Sequence, residues 1–256
     1  MPDDSPFALH GRRALVTGGS RGIGAATAIL LARCGADVAI SWRTRAGEAE
    51  AVAAAVQRLG RRAMAVRMDL ADRASVDSGV GAVAAAWGGL DILVGNAGIW
   101  PAEDVQVSDM PDERWARTVA ANIDGMFYST RAALRVMGDG GRIVLVASTA
   151  GQRGEAMHAD YAASKGAMIS FVKSVAVEVA RRGITVNSVA PGWVDTEMCA
   201  EPFAGGGRER IAAGIPVGRI ASVDDIAAPI VFLCTGEARH ITGEIVNVNG
   251  GSVLCG

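Results

Sequence analysis

Lysine is nearly absent from this chain. Of 256 residues 25 are basic, yet only Lys165 and Lys173 are lysines, so arginine supplies almost every cation. Tyrosine is equally scarce, at Tyr128 and Tyr161. The 27 acids leave a formal charge of −2 and neither sign forms a run, which excludes the basic footprint of a nucleic-acid or anionic-membrane binder. Cys34, Cys199, Cys234 and Cys255 stand far apart, with no CxxC pair and no histidine cluster, so neither a metal site nor a disulfide framework is expected. Reduced, mostly buried thiols in a cytoplasmic protein fit that pattern. No uncharged apolar stretch approaches the roughly 18 residues of a membrane span. Residues 1–6 are polar and acidic with no apolar segment behind them, so no export leader is expected.

What is present is alternation. Half of the residues are hydrophobic, and short apolar runs at 14–17, 38–42, 63–68, 92–95, 142–147, 185–190 and 245–248 read as strands. Helical patterns fall between them at 23–34, 46–59, 73–87, 112–137, 160–181 and 223–233. The expectation is an α/β fold, a doubly wound parallel sheet of seven strands with helices on both faces. It would form one domain over residues 11–256, behind a flexible N-terminus at 1–10. Gly205, Gly206 and Gly207 mark the segment 202–214 as a mobile surface loop or substrate lid, or equally as a plain disordered connector.

Two features carry chemistry. Tyr161 precedes Lys165 by four residues, which stacks the two side chains on one helix face. A lysine there lowers the phenol pKa, and such a tyrosine exchanges a proton with a carbonyl or alcohol oxygen. The second feature is Thr17-Gly18-Gly19-Ser20-Arg21-Gly22-Ile23-Gly24, between the first strand and an alanine-rich helix. Glycines there admit a pyrophosphate against free N–H groups at the helix start. At the end of the second strand an acid would grip a ribose 2′-hydroxyl, but Arg43 stands there instead. With Arg21 it would clamp a 2′-phosphate, which favours NADP(H) over NAD(H). Asp37 lies at the wrong end of that strand.

Further markers follow in order: Asp69-Leu70, Asn96-Ala97-Gly98, Asn122, Ser148, Pro191-Gly192 and Ile241-Thr242-Gly243. Taken together, from about residue 11 to residue 251, the chain resembles the short-chain dehydrogenase/reductases of single-domain type, most like the 3-oxoacyl-(acyl-carrier-protein) reductases. The resemblance implies a Rossmann-type fold and a catalytic set of Asn122, Ser148, Tyr161 and Lys165. It implies cofactor contacts from Asp69 and Leu70 at adenine, from Asn96, Ala97 and Gly98, from Pro191, Gly192, Val194 and Thr196 near nicotinamide, and from Tyr161 and Lys165. Asn122 would position a water that relays protons to Lys165. The activity implied is NADPH-dependent carbonyl reduction of a 3-oxoacyl thioester or another small ketone. Its alternatives are an NAD(P)-dependent sugar, polyol or secondary-alcohol dehydrogenase and, more remotely, a silent NADP-sensing regulator.

Two positions depart from the family pattern. Gly95 stands where a second asparagine usually precedes Asn96, and Met137-Gly138-Asp139-Gly140-Gly141 replaces the basic stretch suited to docking an acyl carrier protein. Arg131, Arg135, Arg181 and Arg182 would have to form that patch instead. Trp100, residues 152–158 and the 202 loop would shape the substrate, with His158 a loop or surface residue. The helix at 160–181 is apolar nearly all round, which predicts a symmetric homo-oligomer, a tetramer by resemblance.

Overall fold

The computed structural model describes residues 5–254. Seven strands form one parallel sheet: β1 (Arg13–Val16), β2 (Asp37–Trp42), β3 (Ala63–Arg67), β4 (Leu90–Gly95), β5 (Met137–Val146), β6 (Thr185–Pro191) and β7 (Ile245–Val248). Their order is β3-β2-β1-β4-β5-β6-β7. The strands are apolar on both faces because both are covered. Ala14, Val16, Ile92, Val94 and Val144 face one core, while Leu15, Leu93, Ile143 and Leu145 face the other. Helices α1 (Gly22–Arg33) and α2 (Ala46–Arg58) cover the first face with the last helix, α10 (Val223–Cys234). The opposite face is covered by α3 (Arg73–Trp87), α5 (Gly125–Val136) and α7 (Ala159–Val179). Fully burying each Leu or Ile contributes about 1.5–3 kcal/mol against the ordering entropy.

Helix ends follow local chemistry. Asp72 caps α3 by accepting from the Ala74 amide at 2.9 Å, and Ser222 with Asp225 forms a reciprocal capping box on α10. The chain leaves β1 toward β2 and β3, then crosses back to β4, so a crevice opens beyond the carboxyl ends of β1 and β4.

Four expectations change. The helix expected at 112–137 is broken into α4 (Asp112–Val119), a π-helical turn (Ala120–Asp124) and α5. The wide turn carries Asn122 into the interior, where it is 1 % exposed. Strand β5 starts five residues early, with Met137 against Leu90, and its register then shifts so that Arg142 meets Ile92. The 202–214 segment holds structure: α8 (Ala200–Phe203) and α9 (Gly207–Ala213) are joined through Gly205 and Gly206 at φ +56° and +79°. Of the N-terminus expected to be flexible, residues 1–4 lie outside the described residues, but Leu9 is anchored. It is buried in the core and donates its amide to the Cys34 carbonyl at 2.6 Å.

One buried ion pair ties α4 to α7. Asp160, fully buried, accepts from Arg114 Nε at 3.2 Å and from the Thr118 hydroxyl at 2.8 Å. Arg114 also donates to the Glu103 carbonyl at 2.6 Å, so the pair holds the loop beyond β4 as well.

Candidate active site

The crevice is a cleft of about 880 Å³ running from the glycine turn to Tyr161. At its phosphate end Gly18 and Gly22 take φ of +62° and +54°, and Ser20, Arg21 and Ile23 line the wall with them. Helix α1 begins after Arg21 with no side-chain cap and no acid in its first turn, which leaves its leading amides to an anion. Gly19 and Gly24 stand behind this wall and do not line it. A Cβ on Gly19 would lie 2.5 Å from Ile40 Cγ2, and one on Gly24 would lie 2.4 Å from the Gly18 carbonyl, so these glycines close the turn onto β2 and α1.

Asn96 locks the turn to the end of β4. Its side-chain amide donates to the Thr17 and Gly18 carbonyls at 3.0 and 3.2 Å, while the Asn96 and Ala97 amides donate to the Thr17 hydroxyl. Gly95 has a packing reason: a Cβ there would lie 2.5 Å from Leu145 Cδ2.

At the other end Asp69 and Leu70 line the cleft, with Arg43 across from them. Arg43 is exposed and makes no hydrogen bond or ion pair among the described residues. Arg21, expected to share a 2′-phosphate with Arg43, lines the same cleft. Arg21 is drawn to Glu197, which also accepts from Arg45 at 3.0 Å, because this carboxylate projects from the loop after β6 onto the turn. Asp37 lies at the opposite end of β2, paired to Arg61 and Arg62 at 3.1 and 2.8 Å.

Tyr161, Lys165 and Ser148 all line the same cleft, as do Gly98, Pro191, Gly192, Val194 and Thr196. The Ser148 hydroxyl lies close enough to the Tyr161 phenol to favour its ionised form, and it accepts from the Ala150 amide at 3.1 Å. Lys165 is 4 % exposed, and its ammonium donates to the Val146 carbonyl at 2.6 Å, 5.7 Å from the centre of the Tyr161 ring. Burial pushes Lys165 down to about 8. Burial also pushes the Tyr161 phenol up from 10.0; the Ser148 hydroxyl opposes this, and Glu155 and Cys199 add to it. The expected acidification of Tyr161 by Lys165 is therefore not met in this cleft. The ammonium is turned to a carbonyl, and desolvation of the phenol dominates. A neutral phenol at working pH is a proton donor.

Asn122 sits one layer behind. Its Oδ1 accepts from the Ile99 amide at 2.8 Å, and its two amide hydrogens go to the Ile99 carbonyl and the Ser164 hydroxyl at 2.9 and 3.0 Å. Gly98 lies between it and Lys165: a Cβ there would be 3.1 Å from Asn122 Oδ1 and 3.6 Å from Lys165 Nζ.

The remaining wall is aromatic. Trp100 meets Trp193 edge-on at 6.3 Å, and Phe203 packs behind Trp193 at 5.9 Å. His158 lies in the loop before α7, one of its two expected places, but not at the surface: it is 4 % exposed and stacks flat beneath Trp100 at 4.7 Å. The chain turns it inward through Met157, at φ +68°. Glu197, Met198, Cys199 and Arg45 line the cleft without a sequence signal of their own, while Trp193 falls within the segment 191–196 expected at nicotinamide. The only available signal was proximity to Pro191-Gly192 and to Arg43. Cys34 and Cys234 are buried, Cys199 lines the cleft, and Cys255 lies outside the described residues. Among the described residues no cluster of histidine, cysteine or acids could hold a metal, and no helix is long and apolar enough to cross a membrane.

Comparison with known proteins agrees with this geometry. Residues 18–252 match the family model described as enoyl-(acyl carrier protein) reductase. The 3-oxoacyl-[acyl-carrier-protein] reductase FabG of Escherichia coli (strain K12) is 41% identical over 248 residues, covering 96% of this chain and 99% of that protein. An L-rhamnose 1-dehydrogenase (NAD(P)(+)) of a Sphingomonas species is 38% identical, covering 95% of this chain and 96% of that protein. A short-chain dehydrogenase from Burkholderia cenocepacia, solved in complex with NADP, superimposes with a TM-score of 0.90 at 42% identity, over 95% of this chain and 98% of that one. The chain belongs to the short-chain dehydrogenase/reductase family.

Proposed function

We propose that this protein is an NADPH-dependent carbonyl reductase, with Tyr161 as proton donor and a 3-oxoacyl thioester or another small ketone as substrate. The observation that carries the reading is the placement of Ser148, Tyr161 and Lys165 in the cleft that begins at the glycine turn. The uncapped start of α1 fits a pyrophosphate, and the unpaired Arg43 fits a 2′-phosphate. Bound reduced nicotinamide supplies the hydride. Ser148 and Tyr161 donate to the substrate oxygen as negative charge grows on it, and Tyr161 passes its proton there. Lys165 holds the sugar end of the cofactor, and Asn122 fixes the Ile99 backbone and positions a relay water. NADPH oxidation measured across acyl-thioester, keto-ester, sugar and steroid carbonyls tests the reading; no turnover with any class, despite NADPH binding, refutes it.

Cofactor choice rests on Arg43. Arg43→Ala is expected to weaken NADPH roughly ten- to a hundredfold, the loss of charge-assisted hydrogen bonds, with NADH changed no more than about twofold. Fluorescence titration with both cofactors reads this, and equal losses would refute it.

The oxidative reading, a sugar, polyol or secondary-alcohol dehydrogenase, is favoured by the rhamnose dehydrogenase relative and by the carboxylate of Glu155 in the cleft. A silent NADP sensor would not need Ser148, Tyr161 and Lys165 gathered in one cleft. Docking of an acyl carrier protein is weakened because Arg182 is spent on the Leu134 and Met137 carbonyls, and Arg131 lies over the Phe127 and Tyr128 rings. We place the enzyme in the cytoplasm, where nicotinamide pools reside, as a homotetramer. Val177 on α7 is 79% exposed and Phe127 on α5 is 41% exposed, apolar surface that a second copy would cover. Light scattering is expected to report an oligomer, reduced in size by Val177→Glu; a monomeric wild type would remove this proposal.

A further inference from the structure

Glu155 has no place in the chemistry above, yet it lies in the cleft beside the reacting groups. Its carboxylate is close enough to Tyr161 to act on the phenol electrostatically. It forms no ion pair among the described residues, unlike the other two acids on this side of the cleft: Asp195 is paired with Arg208, and Glu197 with Arg21 and Arg45. One oxygen accepts from the Trp100 indole at 3.3 Å, a long bond; the other has no hydrogen-bond partner among the described residues. Two basic side chains act on it: His158, stacked beneath Trp100, and Arg153, which lines the cleft at its exposed rim, where solvent screens it. A carboxylate with one oxygen open to the cleft is an acceptor for a ligand that enters with a donor.

The surface around it narrows the choice. Trp100 and Trp193 meet nearly at a right angle, at 84°, and form an apolar corner against which the C–H edges of a short carbon skeleton can lie. Apolar walls with a single acceptor suit a skeleton that carries hydroxyl groups. An anionic substrate would bring a second negative charge next to Glu155 in a poorly solvated space.

We infer that Glu155 is a specificity-determining residue, which turns this active site toward uncharged, hydroxyl-bearing carbonyl compounds and away from carboxylate-bearing ones. The inference rests on the carbonyl-reductase reading and deepens it. A long acyl chain gains nothing from Glu155; a hydroxylated ketone or sugar gains a hydrogen bond.

The test uses two matched pairs of substrates with NADPH. Methyl acetoacetate against acetoacetate reads charge, and hydroxyacetone against butanone reads the hydroxyl. Wild-type enzyme is expected to prefer the neutral ester by at least tenfold in kcat/KM, and hydroxyacetone by about fivefold. Glu155→Gln is expected to reduce the first preference tenfold or more and Glu155→Ala to abolish the second, both with NADPH affinity unchanged. A wild type that takes ester and acid equally overturns the inference with no variant needed. Unchanged preferences in variants that still bind NADPH overturn it too. Those results leave the reductase standing, because turnover across the wider carbonyl panel is independent of them. No turnover with any carbonyl sinks the reductase reading and this inference together.

Discussion

Tyr161→Phe is expected to lower kcat by roughly a thousandfold or more while leaving NADPH affinity within about threefold of wild type. The phenylalanine keeps the ring that packs in the cleft and removes only the hydroxyl proposed to donate to the substrate oxygen. Two effects are lost together: the proton donor, and one of the two hydrogen-bond donors that meet the growing negative charge. Ser148 remains, so a residual rate above background is expected. Stopped-flow measurement of NADPH oxidation with a saturating ketone reads the chemical step directly. A variant within tenfold of wild type would show that another group supplies the proton, and the reductase mechanism would have to be rebuilt around it. Because burial raises the Tyr161 phenol, the group is protonated through the neutral range, and burial leaves Lys165 near 8. Reduction is therefore expected to hold up to about pH 8 and to decline above it, as Lys165 loses its charge.

Asp160→Asn is expected to cost about 3–5 kcal/mol of stability, the loss seen when one member of a buried ion pair is removed and its partner is left uncompensated. Arg114 is 6 % exposed and cannot turn to solvent. Burial of Asp160 alone would raise its carboxyl, but hydrogen bonds from Arg114 and Thr118 more than offset this and hold it below the usual carboxylate range. A carboxyl depressed in the folded state contributes its full stability above its unfolded value of about 3.9 and loses it as pH falls through the lower folded value. Acid unfolding of the wild type is thus expected to have a component below pH 4 that the variant lacks. Denaturant titration at neutral pH and at about pH 2.5 separates the two. Arg114→Met with Asp160→Leu is expected to recover much of the loss, since apolar replacement removes the stranded cation. A single variant as stable as wild type would show that water reaches this pair.

The two residues are neighbours, and they illustrate what could be read from sequence. Strands were legible because helices cover both faces of the sheet, so each strand is a short apolar run. The Leu15 and Val16 pair shows this, with one residue in each core. Tyr161 and Lys165 were legible because four residues along a helix is one turn. The break at Ala120–Asp124 was not legible, because a π turn uses the same residue types as an α turn, and its cause, the bonds from Asn122 to Ile99 and Ser164, is tertiary. The direction of the Lys165 ammonium was hidden for the same reason: nothing near residue 165 in the sequence announces the Val146 carbonyl. The ion pair of Arg21 is hidden as well, because its acid, Glu197, lies 176 residues away. Local spacing fixed which side chains gather in the cleft, whereas partners distant in sequence decide where each one points.

The bare start of α1 bears on how long the molecule survives in a cell. Without a capping side chain, the first turn of that helix leaves its leading amides to an anion, which would add to the hold that Asn96 keeps on the turn. A nucleotide present at about a hundred times its dissociation constant would add about 2.7 kcal/mol to folding stability. Proteases sample the transiently opened form, so the abundance of the enzyme would follow the supply of its own coenzyme: a starved redox pool would slow catalysis at once and then thin out the catalyst itself.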